Sequence, residues 1–74
     1  MAPGLDERLA RELAQGLVQS ATARGGDPVA RLQEFRTLQE AAMAVLQDPV
    51  VAETAERFIR AIDLTIRELA AAKS

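Results

Sequence analysis

The stretch "LQDPVV", residues 46–51, lies in the middle of a chain otherwise patterned for helix, and its reading decides the fold. It is either a corner between two helices that pack on each other or a kink in one elongated helix. The residue before a proline is pushed out of the helical region, so Asp48 breaks the helix. Its carboxylate then suits the N-cap of a new helix, with Pro49 at the first position, where no N–H donor is needed. A corner is therefore expected. The same device stands upstream, where Gly25 and Gly26 permit a left-handed helix end and Asp27-Pro28 restarts the chain.

Outward from this corner, three helices are expected over about 5–24, 28–47 and 49–72. In the third, Val51, Ala55, Phe58, Ile59, Ile62, Ile66 and Leu69 fall on one stripe flanked by Ala52 and Ala70. Opposite it, Glu53/Arg57, Glu56/Arg60 and Asp63/Arg67 pair acid with base at i,i+4, the pattern of a solvated face. Leu64 points into that charged side, where burial requires another chain. The second helix is expected to bury Val29, Leu32, Phe35, Leu38, Ala42, Val45 and Leu46, with Met43 at the edge and Arg31, Arg36 and Gln39 at a solvated rim. In the first, Leu5, Leu9, Leu13 and Leu17 recur every four residues beside Ala10, Ala14, Val18 and Ala21. That face is wide enough to touch two neighbours.

The fold class is thus all-α, a single three-helix domain over residues 1–74 with Asp-Pro helix starts, assembling as a helical homo-oligomer. Oligomerisation is expected because 74 residues form only a thin core. Cysteine and histidine are both absent, so disulfides and thiolate or imidazole metal sites cannot reinforce it. Alanines at 10, 14, 42, 52, 55 and 70 would let helix backbones approach closely. The residues expected to carry self-association or partner binding are Leu9, Leu13, Leu17, Phe58, Ile62, Leu64, Ile66 and Leu69.

Catalysis is not expected. Without His, Cys, Tyr or Trp the chain lacks the commonest proton shuttles and thiol nucleophiles. Its carboxylates, Glu53 and Glu56 included, stand beside arginines on helix surfaces, and Ser20, Thr22 and Ser74 have no candidate base near them in sequence. "RGGDP" lacks the lysine and spacing of a phosphate loop. No catalytic residue, metal, cofactor or small-molecule substrate is assigned. The nine basic residues are interleaved with eleven acids for a net charge of −2, so no stripe tracks a phosphate backbone. A helix-turn-helix at the first corner would offer only Arg31, Gln33, Arg36 and Gln39 as readers, and direct nucleic-acid binding ranks last among the alternatives. The start "MAPGLDERLA" lacks the pattern of a signal peptide, and no apolar run approaches a membrane span, so a cytoplasmic location is expected.

Two segments carry a family resemblance. "DPVARLQEFRTLQEA" (27–41) resembles the Asp-Pro start and Phe-x-x-Leu-Gln run of bacterial YlbF/YmcA-type helical proteins, a family that includes YheA. "QDPVVAETAERFIRAIDLTIRELAAA" (47–72) resembles that family's closing helix, and "ELAQGLVQSATARG" (12–25) its opening one. The chain is shorter, because the family usually has more helix between its two Asp-Pro segments. The resemblance implies a commonly dimeric, bacterial, cytosolic protein that works by binding other proteins, some members acting with an RNA-processing endonuclease. Iron–sulfur clusters associated with some members depend on cysteines, which this chain lacks.

The expected function is that of a non-catalytic homo-oligomeric adaptor or regulatory protein whose partners are itself and another protein. A small co-chaperone or secretion-system helper, holding an amphipathic client helix in an exposed groove, is the alternative of the same kind.

Overall fold

The computed structural model of the chain describes residues 6–73, so Leu5 and Ser74 lie outside the described residues. It contains three α-helices, α1 (Glu7–Ala23), α2 (Pro28–Leu46) and α3 (Pro49–Lys73), each packed against the other two. Among the described residues there is no strand.

Each helix begins on an aspartate. Asp6 accepts a hydrogen bond from the Leu9 N–H at 2.8 Å, Asp27 from Val29 at 3.0 Å and Asp48 from Val50 at 2.8 Å. These bonds occupy amide donors that a helix start otherwise leaves without partners. The first helix ends in a Schellman turn: Gly25 has φ +75°, and the Gly26 N–H donates back to the Ala21 carbonyl at 2.8 Å. The second ends differently. Gln47 adopts the left-handed conformation at φ 49° and ψ 35°, donating its N–H to the Met43 carbonyl. Two residues, Gln47 and Asp48, thus separate α2 from α3.

The core is narrow and rich in alanine. Ala10 and Ala14 of α1, Leu32 of α2, and Ala61 and Ile62 of α3 are buried together, with Leu17, Val18, Phe35, Phe58, Ile66 and Leu69 packed around them. Among the described residues, Leu32 and Ile62 are the only large side chains that are fully buried. Alanines at the closest approach allow the helices to sit near one another, and this rotates α1 relative to its leucine stripe. Its deepest residues are Ala10 and Ala14, whereas Leu9 and Leu13 stay almost half exposed.

The expectation for α2 is corrected more strongly. Leu32 is buried and Phe35 half-buried, but Leu38, Val45 and Leu46 are exposed, at 58%, 79% and 60%. At 100° per residue, Leu38 and Val45 stand well over 90° from Leu32, and α1 and α3 both lie on the Leu32 side. Arg36 lies at the half-exposed rim, where its Nε donates to Asp63 of α3 at 2.9 Å. Asp63, expected to pair with Arg67 along its own helix, is spent on this bridge. In α3 the expected stripe is buried or half-buried, and two neighbours extend it: Ala61 and Thr65 are also buried. The Thr65 hydroxyl donates to the Ala61 carbonyl at 2.7 Å, so no polar atom is left unsatisfied there.

Candidate association site

Two surfaces of the bundle differ from ordinary solvated helix. The first is the outer flank shared by α1 and α2. On α1 the sides facing the rest of the bundle are fixed by neighbours: Glu7 and Arg11 border Arg57, Ala61 and Leu64 of α3, and Gln15 and Val18 border Thr65 and Leu69. Leu9, Leu13 and Gly16 project on the remaining side, beside α2. On α2 the Arg36–Asp63 bridge marks the side turned to α3, and Leu38, Ala42 and Val45 lie on the opposite flank. The short connection after α1 makes the two helices antiparallel, so the start of α1 lies beside the end of α2. Leu9 and Leu13 therefore lie toward the same end of the bundle as Leu38 and Val45. Among the described residues, these are four of the seven large apolar side chains left exposed.

Charge on this flank gathers toward one end, where Arg24, Asp27, Arg31 and Glu34 line the groove between the two helices. Between residues 37 and 47 the only ionisable side chain is Glu40, drawn toward the α3 side by a 2.9 Å bond from Arg36. Arg8 and Glu12 mark the outer border of α1, 3.7 Å apart. Among the described residues Gly16 is the one glycine inside a helix. A Cβ built there would meet nothing within 4 Å, so the chain's own packing does not require glycine. A mid-helix glycine costs about 0.5–1 kcal/mol relative to alanine.

The second surface is a cleft of about 160 Å³ between the start of α1 and the middle of α3, lined by Glu7, Arg11, Arg57, Arg60, Ala61 and Leu64. Arg11 donates to Glu68 at 2.8 Å, and its other terminal nitrogen, Nη1, is buried with no hydrogen-bond partner among the described residues. Arg57 donates to Glu53 at 2.7 Å. Leu64, 46% exposed, shares this cleft with the ion-paired Arg11 and Arg57, with Arg60 and with Ala61. On a third face, the hydrogen bond from Arg36 to Asp63 raises the Arg36 pKa above its ordinary value.

The residues expected to carry association are therefore divided. Leu9 and Leu13 stand together on the apolar flank, and Leu64 stands apart in the arginine cleft. Leu17, Phe58, Ile66 and Leu69 pack against the chain's own core, and Ile62 is sealed inside it. Leu38, Val45 and Leu46 join the exposed apolar surface although they are expected in the core. Their signal in the sequence is the run after Arg36, interrupted by charge only at Glu40, in which too many apolar residues compete for one narrow stripe. Among the described residues no cluster of acidic side chains could hold a metal ion, and no helix is long and apolar enough to cross a membrane. The chain matches no protein-family model, and no curated protein or solved structure is significantly similar to it.

Proposed function

We propose that the chain is a non-catalytic helical adaptor or regulatory protein that acts through protein–protein contact and associates with itself. One observation carries this reading: among the described residues only two large apolar side chains are fully buried, while seven are 45% or more exposed. Single exposed leucines are ordinary, but contiguous apolar surface on a small soluble domain marks contact with another macromolecule. A core this thin also leaves little margin against chain entropy, and association is the usual supplement in a small domain without disulfides or metals. The resemblance to YlbF/YmcA/YheA-type proteins points the same way.

Light scattering over a concentration series, with helicity followed by circular dichroism, tests the proposal. The expected result is a dimer or higher oligomer that loses helicity as it dissociates. A fully helical monomer at every concentration would overturn self-association and leave the exposed flank to a different partner, such as a client helix.

A further inference from the structure

We infer that Gln47 is a one-residue hinge through which α3 leaves the α1/α2 pair of its own chain and docks on that of a second copy, so that two chains exchange their third helices. The inference rests on the self-association reading and names how the copies join. The two corners of the chain differ in strain. Gly25 takes the left-handed backbone at φ 75° without a side chain, whereas Gln47 carries one there at φ 49° and ψ 35°. Among the described residues no other residue with a side chain has a positive φ. The connection that holds this strain is only Gln47 and Asp48, and a short strained hinge invites exchange of an element between copies. Pro49 keeps Asp48 out of the helical region in either arrangement, so the rotation that opens the corner falls on Gln47. The N-cap of α3 survives it, because Asp48 and Val50 move together with that helix.

The face that α3 leaves is complementary to α3 itself. Ala10, Ala14 and Leu32 close on Ala61 and Ile62, while Arg11 and Arg36 reach Glu68 and Asp63. The α3 of a second copy makes the same contacts, so the exchange gives up neither burial nor ion pairs. It also covers what the closed chain leaves bare. Val45, Leu46 and Val50 bracket the hinge and are the most exposed large apolar side chains among the described residues, at 79%, 60% and 65%. In a reciprocal exchange the two opened hinges cross beside the two-fold axis, which brings these residues of one copy against those of the other. Because Ala61 and Ile62 sit in the core, α3 leaves only when the core opens. Closed and exchanged forms therefore interconvert no faster than the chain unfolds.

The chain has no cysteine, so one introduced pair reports where α3 sits. Arg36→Cys with Asp63→Cys, at positions whose side chains bridge α2 and α3, is refolded at high concentration, separated by size, diluted and joined with a short bismaleimide. In denaturant the dimer fraction is expected to run as two linked chains and the monomer fraction as one. Sedimentation equilibrium after refolding gives the second readout. Gln47→Gly relieves the closed corner and should lower the dimer association constant at least about tenfold, whereas Gln47→Val, whose branched side chain the left-handed region excludes, should raise it at least about tenfold. If Gln47→Val does not fold, the linker and Gln47→Gly still decide. A dimer whose linker stays within each chain, or one indifferent to Gln47→Gly, would overturn the exchange and leave self-association standing. A wild-type chain that is monomeric throughout would remove the exchange together with the reading on which it rests.

Discussion

The outer α1/α2 flank and the α1/α3 cleft both expose leucines, yet the two surroundings give those leucines opposite meanings. Leu9 and Leu13 are 45% and 46% exposed beside other apolar side chains, and Leu64 is 46% exposed among arginines. Exposure alone does not distinguish them. What differs is the neighbourhood: water released from the flank would be released from a continuous apolar area, whereas covering Leu64 would also desolvate guanidinium groups and their carboxylates. The free-energy gain from burying a leucine depends on what must be dehydrated with it.

The largest effect should come from removing the support under both surfaces. Ile62→Ala empties the centre of the core and is expected to cost about 3 kcal/mol, a large share of the stability of a small domain, read as a drop in the urea midpoint. If it is tolerated with little change, the two surfaces do not share one core. Next in size, Val45→Lys tests the flank directly. Val45 is 79% exposed, so the monomer should change by no more than about 0.5 kcal/mol, while the proposed self-association, followed by sedimentation equilibrium, should weaken about tenfold.

Gln47→Gly sharpens the contrast at the corner that ends the flank. A side chain in the left-handed region is strained there, and glycine should stabilise the chain by about 1 kcal/mol, raising its thermal midpoint by several degrees. The smallest effect belongs to the cleft. Glu68→Gln breaks the bridge to Arg11, whose partners are 54% and 27% exposed, and should cost no more than about 0.5 kcal/mol. Most of that difference should disappear in 1 M salt. A larger, salt-insensitive loss would mean that the cleft is structural.

The corner at Asp48 was readable because proline sterics act within one residue, and the narrow α3 stripe because helical period and burial agree there. The leucines of α1 misled about depth. Leu9, Leu13 and Leu17 are the larger and more regular series, but close packing of helices favours the smaller Ala10 and Ala14, and hydrophobicity does not rank the two. Leu38, Val45 and Leu46 share a different limitation. Two neighbouring helices shield only part of the circumference of α2, so a wide apolar arc must be partly exposed, and a linear pattern does not say which part. Arg36 was invisible as a bridging residue because Asp63 also has a plausible partner in Arg67, and only the relative rotation of α2 and α3 decides between them.

Thr65 leads to a point about uniqueness rather than stability. Among the described residues it is the only buried polar side chain, and its hydroxyl is satisfied within its own turn by Ala61. No buried hydrogen bond from a side chain therefore ties one helix to another inside the core. Alanines there are nearly featureless and would accept several rotations and offsets of the helices. Arg36–Asp63 and Arg11–Glu68 cross between helices at the rim and tie α2 and α1 to opposite sides of α3. Each is worth little where it is this exposed, but both favour the angular setting of the helices in which they form.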